Sequence, residues 1–358
     1  MHSKTKFKRT KTICNIKLFA MRIFFANFVP IMHTMDFNQL IKESFREELQ
    51  LFDTYLRKSV ANDNPRISKV VNHIFAANGK RLRPSLVFLS AKACGKITPE
   101  TYHGAVTVEL LHTASLVHDD VIDKSELRRN RPSANAAFDN THAVLVGDYL
   151  LSSAALEGFK MDDTDIAEMI AQLSKSLAEG EINQYVIASE MIIDENEYFD
   201  VIDKKTASLM RACTIIGAKT ANASEKTVEL FGQLGQLLGI AFQLKDDIFD
   251  YFSDDVGKPI GNDIREGKIT LPLIYALQNA PESESKQMLE IIHARDFSTD
   301  NIQKLFAFTK ANGGIEYTYS KIDSCIADAE KIVAMCEIDA DKKQMLRILL
   351  LYLRDRKY

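Results

Sequence analysis

From Phe37 onward the apolar positions recur at three- and four-residue spacings instead of alternating, and the pattern predicts one helix after another. Leu40, Ile41, Phe45, Leu49 and Leu51 mark the apolar face of a first helix over about 37–62, closed by Asn62-Asp63-Asn64-Pro65. A second helix is expected over about 66–77. After the basic turn Gly79-Lys80-Arg81-Leu82-Arg83-Pro84, Pro84 stands as first residue of a third helix, which stops near Gly95. Thr98-Pro99-Glu100 supplies an N-cap, a first-turn proline and an acidic first turn for a helix running to about Lys124. Ser125 to Pro132 reads as a loop, followed by helices over about 141–158, 163–188, 195–219 and 223–253. Gly257, Pro259 and Gly261 then break the pattern. The last quarter holds four or five shorter amphipathic helices, ending in Leu349-Leu350-Leu351-Tyr352-Leu353. No alternating strand pattern bounded by hairpin signals stands out, and no repeat or linker divides the chain, so an all-α single domain is expected.

Composition agrees with this reading. The 358 residues are 46% hydrophobic with only 15 Gly and 8 Pro, enough for a substantial core and too few breakers for many turns. A net charge of −4 argues against nucleic acid as a partner. Cys14, Cys94, Cys213, Cys325 and Cys336 have no zinc-like spacing, and their odd, scattered set fits a reducing compartment and a cytoplasmic location. No uncharged apolar run is long enough for a transmembrane segment. Residues 1–34 differ in kind: Lys4, Lys6, Lys8, Arg9, Lys11, Lys17 and Arg22 precede the first acidic residue, Asp36. Met35-Asp36-Phe37 opens the first amphipathic helix, which favours reading 1–34 as an extension outside the fold, upstream of a 35–358 domain. A targeting or membrane-surface role is the alternative.

The chemistry is concentrated in two acidic clusters, His118-Asp119-Asp120-Val121-Ile122-Asp123 and Lys245-Asp246-Asp247-Ile248-Phe249-Asp250. Within each, the first and last Asp are four residues apart and share a helical face. The carboxylates repel, and each sits near a helix C-terminus, where an anion is disfavoured by about 0.3–1 kcal/mol. A solvated acidic patch is the plainer reading of one such cluster. Apolar runs lead into both, however (Leu110, Leu111, Leu116, Val117; Leu237, Leu238, Ile240, Phe242), and duplication in buried-looking helices points to a bound cation. Oxygen-only ligands suit Mg²⁺, whose shell is usually completed by water and substrate phosphates.

The turn Gly79-Lys80-Arg81-Leu82-Arg83-Pro84 sets three cations before a helix N-terminus, a phosphate site that needs no metal. Arg128 and Arg129 add guanidinium forks directly after the first cluster. His112 lies seven residues before Asp119 on the same face, and Gln243 lies one turn before Asp246. Alone, His112 reads more simply as a packed residue, and Lys205-Thr206 say nothing. Together these residues imply two phosphate-bearing substrates, one held through metal and one held directly, with hydrocarbon tails along apolar walls.

The chain resembles the trans-isoprenyl diphosphate synthases, and within them the long-chain polyprenyl (octaprenyl-type) synthases. The likeness covers about residues 40–355 and rests on the basic turn, Leu110 to Asp123, Leu127-Arg128-Arg129, Gly147-Asp148, Lys205-Thr206-Ala207, Phe242 to Tyr251, Gly257 to Asp263 and Glu266-Gly267-Lys268, in family order. It implies a helical bundle around a central apolar cavity. By position, Asp119, Asp120, Asp123, Asp246, Asp247 and Asp250 would hold three Mg²⁺ on an allylic diphosphate, with Arg128 beside it. Lys80, Arg83, His112 and Arg129 would bind isopentenyl diphosphate. Lys205, Thr206 and Gln243 would stabilise the leaving group and the allylic cation, while Lys258 and Lys268 would help close the site. It further implies a homodimer, peripheral membrane contact for product release and a quinone side chain as destination.

Ala114 and Ser115, one turn deeper than Asp119, are both small. Short-chain relatives carry a bulky aromatic there, so a product longer than four isoprene units is expected. Close helix packing is the bland reading of the same pair. The alternatives are a farnesyl or geranylgeranyl synthase, a class I terpene cyclase, or a non-catalytic partner subunit. Two Asp-rich motifs with an intact basic turn argue against the last two.

Overall fold

The computed structural model describes residues 43–76, 79–252 and 261–356. Contacts divide the chain into Met1–Arg46 and Glu47–Tyr358. The expected 34/35 boundary, the proposed extension and Lys258 lie outside the described residues.

The helices follow in order as α1 (Arg46–Ser59), α2 (Pro65–Phe75), α3 (Leu82–Cys94) and α4 (Pro99–Ile122), then a hairpin of β1 (Leu127–Arg128) and β2 (Arg131–Pro132). Next come α5 (Ala134–Ala137), α6 (Asn140–Phe159), α7 (Thr164–Glu190) and α8 (Glu195–Ile202). A π-helical turn, Asp203–Ala207, joins α8 to α9 (Ser208–Thr220), followed by α10 (Glu225–Phe249). The remainder is α11 (Asn262–Arg265), α12 (Leu271–Asn279), α13 (Glu282–His293), α14 (Thr299–Ala311), α15 (Gly314–Met335) and α16 (Ala340–Asp355). The all-α expectation therefore holds, the two-residue strands apart.

Why α4 lies at the centre follows from its residues. Thr98 and Thr101 form a reciprocal capping box, Pro99 stands in the first turn, and every residue from Gly104 to Leu111 is buried. A helix apolar all round has no solvent face to offer. The same holds for α3, buried from Pro84 to Ala91. α3 packs on α9, α9 on α10, α10 on α15, and α4 on α6. At the α4–α6 crossing a Cβ on Gly147 would stand 2.0 Å from His118 Nε2, so any larger residue would require the His118 ring to move. Fully burying a Leu or Phe, such as Leu110, Phe88 or Phe231 in this core, contributes about 1.5–3 kcal/mol. Among the described residues no helix is long and apolar enough to cross a membrane.

Three local differences from expectation bear on the site. Pro84 is the third residue of α3, not the first, because Arg81 caps the helix in a left-handed conformation with φ 56°. The expected loop 125–132 contains a hairpin. Arg128 pairs with Arg131, and Arg129 (φ 55°) and Asn130 (φ 59°) between them take the two positive φ values of a type I′ turn. The expected continuous helix 195–219 is interrupted by the π turn, where the Ser208 N–H donates to Asp203 O, five residues back. Lys205 and Thr206 sit in that turn.

Candidate active site

α4 ends in the first cluster. Asp119 and Asp120 are buried there, while the N–H of Asp123 donates to Asp119 O as the helix closes. The three carboxylates diverge in their partners. Asp119 Oδ2 is 3.4 Å from Lys205 Nζ, which also pairs with Glu181 and donates to Gln184 Oε1 at 3.1 Å. Asp123 Oδ2 is 3.2 Å from Lys268 Nζ, itself 2.7 Å from Glu266 Oε2. Asp120 turns to the hairpin and accepts from Arg128 Nε at 2.9 Å.

α10 carries the second cluster to the same place. Asp247 accepts from Tyr198 OH at 2.5 Å and from Gln243 Nε2 at 2.8 Å, and Gln243 Oε1 in turn accepts from Thr206 Oγ1 at 2.9 Å. Asp250 Oδ1 accepts from the N–H of Asn262 at 3.0 Å, holding the start of α11. Asp246 pairs with Arg356, whose guanidinium lies 4.4 Å from the Phe242 ring centroid and 5.0 Å from that of Phe249. Lys205, Thr206, Gln243, Asp247, Asp263 and Lys268 line one cavity of about 210 Å³. Beyond them the lining is largely aliphatic, with Ile187, Ile192, Val201, Ile202, Ile269 and Ile274, and also holds Gln184, Asp194, Tyr198 and Thr270.

The charge in this cavity is out of balance. Burial, followed by the neighbouring carboxylates Glu181 and Asp123, pushes the Asp119 carboxyl up to about 6 despite Lys205. Burial pushes Asp247 up to about 7, with Asp246 and Asp250 adding to the rise and the Tyr198 and Gln243 donors opposing it. Asp263 is raised well above the ordinary range by burial and then by Asp247 and Asp250. Crowded, buried carboxyls of this kind gain most from a bound cation, and oxygen donors suit a hard divalent one. In the present arrangement no three His, Cys, Asp or Glu side chains among the described residues converge on one point. Lys205, Lys268 and Arg356 stand against Asp119, Asp123 and Asp246 instead.

On the hairpin side lies a basic pocket lined by Arg81, Arg128, Arg129 and Arg131 together with Glu109, Thr113 and Asp120. Gly79 closes on it: a Cβ there would stand 2.8 Å from Arg129 Nη1. Burial holds the His112 imidazole well below its usual range, and Arg83 and then Arg129 add to that effect, so the ring is neutral. Arg83 is close enough to Glu109 and Asp246 to feel both as opposite charges. Its Nε is buried and has no hydrogen-bond partner among the described residues. Lys80 is exposed beside it.

Lys205, Thr206, Gln243, Asp247 and Lys268 thus line one cavity, with Asp119 and Asp123 paired to its two lysines, while Arg128 and Arg129 line the basic pocket and Arg83 and His112 line neither. Ala114 is fully buried; Ser115 Oγ donates to His112 O at 2.9 Å, and neither lines the 210 Å³ cavity. Sequence reasoning assigned no role to Tyr198, Glu181, Gln184, Asp263 or Arg356. Asp263 stood in a quoted motif block; the others become visible only through contacts between distant segments.

Over most of its length the chain is similar to known proteins. The polyprenyl synthetase family model matches residues 64–309. Octaprenyl diphosphate synthase of Haemophilus influenzae is 33% identical over 87% of this chain and 94% of its own. A crystal structure of a decaprenyl diphosphate synthase from Rhodobacter capsulatus superposes with a TM-score of 0.84 at 35% identity, covering 90% of this chain and 99% of that one. The geranylgeranyl pyrophosphate synthase of Bacteroides thetaiotaomicron is similar at 39% identity and a TM-score of 0.75, covering 88% and 98%. With the family model spanning most of its length and a relative 33% identical over 94% of that relative's own length, this chain belongs to the polyprenyl synthetase family of prenyltransferases.

Proposed function

We propose that this chain condenses isopentenyl diphosphate with an allylic diphosphate, repeatedly, to give an all-trans polyprenyl diphosphate of more than about four isoprene units. The observation that carries the reading is that Asp119 and Asp123 from α4 pair with Lys205 and Lys268, which line a largely aliphatic cavity together with Asp247.

Asp119 and Asp123 on one side and Asp246 on the other would hold Mg²⁺, three ions in all, against the allylic diphosphate. Bound there, the metal supplies Lewis acidity that neutralises the departing diphosphate, worth several kcal/mol of barrier. The protein does the rest. Tyr198 and Gln243 fix the Asp247 carboxylate, so it orients Gln243 and Thr206 toward the cavity instead of turning freely. The Gln243 and Thr206 oxygens would face the allylic cation, and Lys205 the leaving group. Lys268, drawn by Asp123, sits where it would close the site. Lys80, Arg83, His112 and Arg129 would bind the second diphosphate, and the neutral imidazole of His112 leaves the charge to the guanidinium groups. The aliphatic part of the wall would shield the cation from water, which would otherwise convert it to an alcohol.

A homodimer is part of this proposal. Leu145, Leu156 and Phe159 leave 62%, 65% and 72% of their surface exposed along α6, an apolar stripe a second copy would cover.

The test is incubation of purified protein with Mg²⁺, farnesyl diphosphate and labelled isopentenyl diphosphate, followed by chromatography of the dephosphorylated products. Chains beyond twenty carbons support the reading. A product that stops at twenty assigns a short-chain synthase, and no incorporation of label overturns the activity.

A further inference from the structure

The basic turn that faces the second diphosphate is held in a conformation its own sequence does not favour. Arg81 has φ 56° and ψ 31°, and no side chain caps the N-terminus of α3. A non-glycine residue persists in that region only where its surroundings fix it. A cavity of about 260 Å³ lined by α1 and α2 residues opens beside Arg81, so packing encloses the turn only in part. Ion pairs engage the side chain of Arg81 on two sides. Arg81 Nη1 donates to Glu109 Oε1 at 2.7 Å and Nη2 to Asp53 Oδ1 at 3.2 Å, with the guanidinium 5.3 Å from the Phe52 ring centroid. The Glu109 side chain is only 6% exposed, so its charge has Arg81 as a close, desolvated partner.

Glu109 also stands on α4 three residues before His112, on the side that meets Arg83 and Arg129. Anchoring Arg81 to it ties the turn to the helix that carries His112. Both terminal nitrogens of Arg81 are engaged by carboxylates, which sets it apart from its neighbours Lys80 and Arg83.

We propose that Arg81 is a positioning residue for isopentenyl diphosphate: its fork, clamped between Glu109 and Asp53, fixes the left-handed turn that aims Lys80 and Arg83 at the diphosphate. The inference rests on the reading of the basic pocket given above. Lysine keeps the charge at this position and loses the fork. Arg81→Lys therefore raises KM for isopentenyl diphosphate by about tenfold, leaves KM for the allylic diphosphate within about twofold, and leaves kcat at saturation within about threefold. Glu109→Gln reproduces the same split, and the double variant adds little to either, since both substitutions cut one contact.

Steady-state kinetics of the full chain with each substrate varied in turn tests this, with Lys80→Ala and Arg83→Ala run alongside. If those two leave KM for isopentenyl diphosphate unchanged, the pocket assignment falls and this inference with it. If they raise it while Arg81→Lys and Glu109→Gln shift neither KM, or shift both alike, the inference alone is overturned. Should Arg81→Lys not accumulate as folded protein, Glu109→Gln and Asp53→Asn are read by the same criterion, and a fall in thermal stability without the KM split counts against the proposal.

Discussion

Lys268 Nζ stands 3.2 Å from Asp123 Oδ2, a contact between residues 145 positions apart that joins the first aspartate cluster to the segment after α11. The same lysine lines the cavity with Asp247 and Asp263. It thus links the first cluster to the cavity that Asp247 of the second cluster lines.

Replacing Asp119 or Asp246 by Asn should lower kcat/KM by about a thousandfold or more, equivalent to roughly 4 kcal/mol of transition-state stabilisation. The fold should survive, because Asp119 is a carboxyl that burial already disfavours as an anion. Circular dichroism and steady-state rates measured on both variants check this; near-normal rates in both would remove the metal assignment.

Tyr198→Phe takes one of two donors from Asp247 while leaving the ring packed. Losing a buried hydrogen bond to a charged group costs about 1.5–3 kcal/mol. The expected result is a kcat reduced by about tenfold with both KM values little changed. An unchanged kcat would mean that Gln243 alone orients the carboxylate.

How far all this was legible in the chain depends on the range of the interactions. Caps and apolar spacing are local, so Thr98-Pro99 announces α4, and the aspartate spacing reveals a shared face before any folding is considered. The π turn at Lys205 and Thr206 is not local. It shows no breaker residue, and it packs against α7 and α10, where a Cβ on Gly239 would stand 2.4 Å from Ala207 Cα. The hairpin at Arg129-Asn130 was hidden because its turn lacks the Asn-Gly signature. Tyr198–Asp247 and Arg356–Asp246 join residues 49 and 110 positions apart, which no periodicity encodes.

The raised carboxyls make metal binding depend on pH. Asp119 and Asp247 hold their protons more tightly folded than unfolded, where an Asp titrates near ~3.9. The folded state therefore binds more protons between about pH 4 and 7, and in that window these groups lower the stability of the metal-free protein as pH rises. Metal binding needs the carboxylate form and releases protons. The increase in Tm on adding Mg²⁺ should be larger at pH 8 than at pH 5.5. Equal increases at both would show that Asp119 does not ligate.

Ser115→Tyr, one turn before Asp119, should shorten the longest product if the growing chain passes α4. Product chromatography reads this directly. An unchanged distribution would place the path along the aliphatic wall formed by Ile187, Ile192 and Val201 instead.

The central claim is that the two aspartate clusters grip one diphosphate through divalent metal. Crystals grown with Mn²⁺ and inorganic diphosphate, measured at the manganese absorption edge, test it most directly. The account predicts anomalous peaks at about 2.0–2.2 Å from carboxylate oxygens of Asp119 and Asp123 on one side and Asp246 on the other, with the diphosphate between. Diphosphate bound without metal, or metal held by only one cluster, would contradict it.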